Sequence, residues 1–280
     1  MTPFEIEFDG AQIRGESDGV GIPVVFLHAG VTDRRMWADQ MQTLVNEGYH
    51  VISYDRRGFG ETETNDVAFS HLVDLEAVLD RLSIHAAVFV GASMGGGIAL
   101  DFALEHPERT IGLVLMGTAV SGAITDEMDE EVAQLEEAAE YAIERGTIGT
   151  ANRIQAHQWL DGPYGQSGRV EGERRDLFLA MNEIHLSHPE LSHEEDAMIS
   201  AYDNLHTLTA PTLLVVGELD CADIITLHDE LSEEIENGFA VMIEETAHLP
   251  SFERPDLFNP ILLEFLDAVT GHGADEALDG

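Results

Sequence analysis

Three side chains, far apart along the chain, are of the types that nucleophilic acyl transfer needs: Ser93, Asp220 and His248. A serine hydroxyl is a weak nucleophile until a base takes its proton, and an imidazole serves as that base when a carboxylate orients it. Ser93 lies in Gly91-Ala92-Ser93-Met94-Gly95, between the apolar run Val88-Phe89-Val90 and the helix-forming segment from Gly96 to Leu100. A serine at the apex of so sharp a strand-to-helix turn is strained, so the positions two before and two after it must be small, and both are glycine. The turn holds the hydroxyl clear of the sheet. The first N–H groups of the new helix, beginning at Met94, lack intrahelical partners and can face an anion that forms at the serine. Gly30, in Leu27-His28-Ala29-Gly30, follows another apolar run and can bring a second N–H to the same anion.

Competing chemistries fail on particular residues. A phosphate-binding Walker loop needs a lysine, and the chain has none. A dinucleotide fingerprint starting at Gly95 fails at Leu100, where a small residue is required. Cys221, the one cysteine, lacks a nucleophile turn and reads as a small packed thiol; alone, it forms neither an internal disulfide nor a cysteine metal cluster. His28 reads as a structural hydrogen-bonding residue. Asp220 competes for the orienting role with Glu218 and Asp223, while His248, one of 13 histidines, is singled out by its place just past the last apolar run. No metal and no cofactor is expected.

These residues need elements to position them. Phe4–Phe8 and Ala11–Gly15 flank Asp9-Gly10 as an edge hairpin. Apolar runs at Val24–His28, His50–Asp55, Val88–Val90, Thr110–Met116, Thr212–Val216 and Phe239–Ile243 predict strands covered on both faces. Helical spacing falls between them at 37–47, 69–82, after Ser93, at 224–235 and at 261–269. Strand and helix in alternation imply a parallel, doubly wound sheet of the α/β class. Ligands bind at the carboxyl ends of such strands, and Gly30, Ser93, Asp220 and His248 each follow a different strand. No buried strand is predicted between about 121 and 207, where an acidic helix from Thr125 to Arg145 opens a run of helical segments. The expected organisation is a core in two parts, 1–120 and 208–272, interrupted by a helical cap at 121–207 and ending in a polar tail at 273–280.

With 54 acidic against 13 basic residues the formal net charge is −41. The acids are spread between well-patterned apolar segments, so they describe the surface of a folded protein rather than a disordered tail. Without a basic face, neither nucleic acid nor an anionic membrane is an expected partner. No run of 18 apolar residues and no basic, apolar leader occurs, so the protein is expected to be soluble and cytoplasmic. Such acidity without lysine resembles that of proteins from salt-loving organisms.

Taken together, Leu27-His28-Ala29-Gly30, Asp55-Arg56-Arg57-Gly58-Phe59-Gly60, Gly91-Ala92-Ser93-Met94-Gly95-Gly96, Gly217-Glu218-Leu219-Asp220 and Ala247-His248-Leu249-Pro250 with Glu253-Arg254-Pro255 resemble the α/β-hydrolase fold over nearly the full length. The last motif and the C-terminal third are most similar to enol-lactonase-like serine carboxylesterases. The resemblance implies Ser93 as nucleophile, His248 as general base, Asp220 as its orienter, and the N–H groups of Gly30 and Met94 as oxyanion donors. It implies hydrolysis of a small carboxylic ester or lactone. Relatives that act as dehalogenases or epoxide hydrolases carry aspartate at the turn, against serine here. Carbon–carbon bond hydrolases and perhydrolases of the same fold, or a ligand-binding receptor on the hydrolase scaffold, are the alternatives; oligomeric state and the particular ester stay open.

Overall fold

A strand buried on both faces must alternate its side chains between two separate apolar layers, and the computed structural model, which describes residues 1–123, 129–195 and 197–271, has that arrangement. The N-terminal hairpin consists of β1 (Thr2–Phe8) and β2 (Ala11–Asp18), turning at Asp9 and Gly10, both at positive φ. Alternation follows through β3 (Pro23–Leu27), α1 (Ala38–Asn46), β4 (His50–Tyr54), the two-residue β5 (Glu63–Thr64), α2 (His71–Arg81), β6 (Ala87–Ala92), α3 (Met94–Glu105) and β7 (Thr110–Met116). Helices then succeed one another: α4 (Glu130–Glu144), α5 (Ile148–Ala156), α6 (Glu173–Ser187) and the short α7 (Ala201–Asn204), with a π-helical turn, His157–Asp161, continuing α5. The chain closes with β8 (Thr212–Gly217), α8 (Ala222–Glu234), β9 (Gly238–Ile243), the single turn α9 (Pro250–Glu253) and α10 (Pro255–Thr270).

The strands form one sheet in the order β1-β2-β4-β3-β6-β7-β8-β9, with β5 beside β2. From β4 to β9 every neighbouring pair is parallel, and the hairpin strands and β5 are antiparallel. Val25, Leu27, Phe89, Leu113 and Leu115 point into one layer with α2, α3 and α8; Val24, Phe26, Val88, Val90, Val114 and Met116 point into the other with α1 and α10. The sheet is therefore doubly wound, as the continuous apolar runs require.

Two details depart from the sequence expectation. Helix α10 starts at Pro255 rather than Ile261, since Pro255 occupies the first turn, where no N–H is missed, and Pro260 is carried inside the helix. Helix α4 begins at Glu130; the expected start at Thr125 and the tail at 273–280 lie outside the described residues.

The turn after β4 is locked by a buried ion pair. Arg57 donates from Nε and Nη2 to the two carboxylate oxygens of Asp74, both at 2.8 Å, and from Nη1 to the Asp9 carbonyl at 2.8 Å. Both side chains are buried, so this planar fork joins the turn to α2 and to the hairpin in one step.

Candidate active site

The turn between β6 and α3 places Ser93 at φ 53° and ψ −120°, a conformation costly for a residue with a β-carbon. The surrounding contacts leave room only for glycine. A β-carbon on Gly91 would overlap the Gly95 carbonyl, and one on Gly95 would lie 2.6 Å from the His28 carbonyl oxygen. Backbone bonds hold the apex: Ser93 N–H donates to the Met116 carbonyl at 2.7 Å, and the Ser93 carbonyl accepts from Gly97 N–H at 3.0 Å. While the flanking Gly91, Ala92, Gly95 and Gly96 are buried, Ser93 and Met94 remain half-buried.

His248 and Asp220 are brought together directly. The imidazole Nδ1 stands 2.8 Å from Asp220 Oδ2 and 3.1 Å from Oδ1, and Oδ1 also accepts the Cys221 N–H at 2.8 Å. The two residues are 2% and 1% exposed, so the pair is withdrawn from water. Gly117, at φ +50°, lies under them: a β-carbon there would be 2.9 Å from His248 Cε1 and 3.3 Å from Asp220 Oδ2. Since Met116 holds Ser93 and its neighbour Gly117 abuts His248, one dipeptide at the end of β7 ties the serine turn to the pair. No hydrogen bond joins the Ser93 hydroxyl to His248. The Trp159 ring, from the π turn, covers the imidazole at 4.7 Å between centroids.

Gly30 and Met94 are adjacent: a β-carbon on Gly30 would be 3.8 Å from Met94 Sδ. Among the described residues neither N–H has a protein acceptor. Two cavities, of about 580 and 320 Å³, both have Met94, His71 and Glu194 in their walls; the larger also touches Asp101 and Ser121, the smaller Phe59.

The competitors separate by burial. Glu218 is exposed and its Oε2 accepts Glu245 N–H at 3.0 Å, while Asp223 sits in the first turn of α8. Burial, reinforced by the neighbouring Asp220 and Asp223, pushes the Cys221 thiol well up, so it stays protonated and inert. His28 is fully buried with Nδ1 toward the Ala29 carbonyl at 2.8 Å and Nε2 accepting the Arg56 N–H at 3.1 Å; burial and Arg56 hold it well below its ordinary value, neutral and structural. Neither Gly117 nor Trp159 was legible as a site residue, since a glycine after a strand and a tryptophan in a helical segment are ordinary. Among the described residues, no three His, Cys, Asp or Glu side chains cluster as metal ligands, and no helix is long and apolar enough to cross a membrane.

A doubly wound sheet with a strained serine turn, and a buried imidazole–carboxylate pair at the ends of neighbouring strands, defines a class of proteins. Residues 24–261 match the alpha/beta hydrolase family, and the chain belongs to it. Among solved structures, an N-acyl homoserine lactone degrading enzyme aligns with a TM-score of 0.71 and 30% identity, covering 93% of this chain and 99% of that one. A thermophilic esterase from Thermogutta terrifontis aligns with a TM-score of 0.77 and 25% identity, covering 96% and 99%. The 2-hydroxymuconate semialdehyde hydrolase of a Pseudomonas species is 40% identical over 136 residues, 45% of this chain and 47% of that protein.

Proposed function

We propose that this chain is a serine hydrolase of small carboxylic esters or lactones, working through an acyl-enzyme on Ser93. The observation that carries the reading is the bidentate, buried approach of Asp220 to His248 Nδ1, which keeps the proton on Nδ1 and leaves Nε2 free as a base. In this reading Ser93 Oγ attacks the carbonyl carbon as its proton passes to His248. The oxyanion is received by the N–H groups of Gly30 and Met94. The tetrahedral species collapses, the carbon–oxygen bond to the leaving alcohol breaks, and His248 returns its proton to that oxygen. Water, deprotonated by the same imidazole, then attacks the acyl-enzyme and releases the acid and Ser93.

The segment 121–207 acts as the cap. Support comes from Trp159, which that segment lays over His248, and from Glu194, which borders both cavities. The net charge of −41 supports a salt-rich cytoplasm as the working environment. Carbon–carbon bond hydrolysis is a second reading, favoured by the partial identity to the semialdehyde hydrolase. A panel of p-nitrophenyl esters of rising acyl length, run beside lactones and a vinylogous diketone in several molar potassium chloride, with Ser93→Ala as control, decides between them. Ser93-dependent turnover of the esters or lactones is expected; turnover of the diketone alone would transfer the assignment to the second reading, and no Ser93-dependent turnover would overturn both.

A further inference from the structure

The loop that carries His248 is held by a second carboxylate, distinct from Asp220. Glu253, in α9, is 7% exposed and turns back on its own chain. Its Oε1 accepts the Ala247 N–H at 3.0 Å and the Leu249 N–H at 3.3 Å, and its Oε2 accepts the Ala247 N–H at 3.1 Å. These are the amides on either side of His248. Buried N–H groups must find partners, and an ionised oxygen is the strongest acceptor available to them. The same carboxylate meets the guanidinium of Arg169 through Oε2.

Arg169 reaches in from the chain between the π turn and α6. Its Nε donates to the Asp161 carbonyl at 2.8 Å, its Nη2 to the Leu160 carbonyl at 2.7 Å, and its Nη1 to the Glu245 carbonyl at 2.7 Å. A single planar side chain thus grips the π turn that presents Trp159, the residues preceding His248, and the carboxylate that fixes its flanking amides. The π turn is itself braced, because Asp161 accepts the Gly168 N–H at 2.7 Å, the Val170 N–H at 3.1 Å and Arg175 Nη1 at 2.8 Å. Gly162, at φ +92°, packs so closely on Leu219 that a β-carbon would lie 2.6 Å from its carbonyl oxygen, one residue before Asp220.

We propose that Glu253 is a positioning residue for His248, and that the Glu253–Arg169 pair couples the aim of this imidazole to the seating of the Trp159 turn. The proposal rests on the reading of His248 as general base. Asp220 sets the rotation of the ring about its Nδ1 contact, and Glu253 sets the backbone from which the ring projects. Burial pushes the Glu253 carboxyl up to about 6, with Arg169 and the two amides pulling the other way, so the acceptor role depends on those partners. Glutamine cannot substitute fully. Its one acceptor oxygen can serve the amides or the guanidinium, and its NH₂ then faces donors on the other side.

The test uses the full chain in several molar potassium chloride, with Glu253→Gln and Arg169→Met made singly and together. Circular dichroism reports folding, and p-nitrophenyl acetate reports turnover. Each single variant is expected to lower kcat and kcat/KM together by about 10- to 100-fold with KM within about twofold, the pattern of an interaction used in the transition state. The double variant is expected to lose little more than the worse single, because the two residues act as one unit. Arg254→Gln, which removes an exposed pair with Asp256, is expected to change neither parameter. Folded single variants with wild-type kcat, or losses that multiply in the double variant, would overturn the proposal. If Glu253→Gln does not fold, Arg169→Met, which leaves the amide contacts in place, decides by the same criterion. If the wild type shows no Ser93-dependent turnover, the functional reading falls separately. Proton NMR of the His248 Nδ1–H then decides the positioning role: loss of the downfield signal in either folded variant supports it, and an unchanged signal refutes it.

Discussion

Replacing Asp220 by asparagine is expected to reverse the tautomer of His248. The carboxylate accepts on both oxygens, from His248 Nδ1 at 2.8 and 3.1 Å and, at Oδ1, from the Cys221 N–H at 2.8 Å. An asparagine has one acceptor for these two donors. If its oxygen stays with the Cys221 N–H, its NH₂ takes the place of Oδ2 and donates to Nδ1, so the imidazole proton moves to Nε2, where it cannot receive the serine proton. If the amide flips, its NH₂ faces the Cys221 N–H donor to donor in a buried site, which costs about 1–3 kcal/mol. The inactive orientation is therefore favoured by about 5- to 150-fold. The charge that stabilises the imidazolium is lost as well. Together these lower kcat by about 10⁴-fold, or about 5.4 kcal/mol in the barrier, the scale seen when a triad carboxylate is so replaced. The assay is p-nitrophenyl acetate turnover at saturating salt from about pH 6 to 9, with circular dichroism as the folding control. Glu218→Gln and Asp223→Asn, run beside it, are expected to retain at least about a hundredfold more activity. An Asp220→Asn enzyme within tenfold of wild type, or equal losses at all three positions, would refute the assignment of the orienting acid.

Ser93→Ala is expected to cost about 10⁴-fold or more in ester turnover with an unchanged melting curve, since on the proposed function the hydroxyl carries the covalent step and little packing. Arg57→Met would leave the buried Asp74 carboxylate unpaired, at a cost of about 3–5 kcal/mol read by thermal or denaturant unfolding; a loss below 1 kcal/mol would contradict the burial of the pair. The melting temperature is expected to rise by about 10 °C or more between about 0.01 and 2 M potassium chloride, as the Debye length shrinks from about 30 Å to a few Å and the repulsion of a −41 chain is screened; a flat response would remove the salt adaptation. Burial holds the Asp101 carboxyl up to about 6, so between about pH 7.5 and 5 the folded chain takes up a proton there that the unfolded chain does not; the melting temperature of the wild type relative to Asp101→Asn is expected to rise as pH is lowered over that range, and a constant difference would refute it.

The strands and the serine turn were legible because both are local. A run such as Val88-Phe89-Val90 is apolar on both faces wherever it occurs, and Gly91 and Gly95 are dictated by contacts within a few residues of Ser93 and with the neighbouring strand. Choosing Asp220 over Glu218 was a matter of fold resemblance, because the two differ in burial and not in type. Glu253 stood within a recognised motif, yet its bonds to the amides beside His248 follow from the return of α9 onto its own loop, which composition does not announce. Trp159 was invisible for a related reason, because the π turn interrupts the helical period, and Arg169 lies in the non-helical stretch before α6, where only the fold brings its guanidinium to the Leu160 and Asp161 carbonyls. Helix α10 begins six residues before the expected Ile261, because Pro255 fits its first turn and Pro260 is carried inside it.

Strands β7 and β8 are parallel neighbours in the sheet although the whole helical segment lies between them, and the ends of that segment meet where the Tyr202 N–H donates to the Ser121 carbonyl at 3.0 Å and the Ala201 N–H to the Ser121 hydroxyl at 2.9 Å. The segment thus leaves and re-enters the core at almost one point. For a flexible connection with fixed ends, each doubling of length costs only about 0.6 kcal/mol in closure entropy. The core is therefore nearly indifferent to how long that excursion is, whereas the cavities beside Met94 are walled by it. Insertion, deletion or wholesale exchange at this one junction can rewrite the walls of those cavities while the sheet, the serine turn and the imidazole–carboxylate pair keep their places.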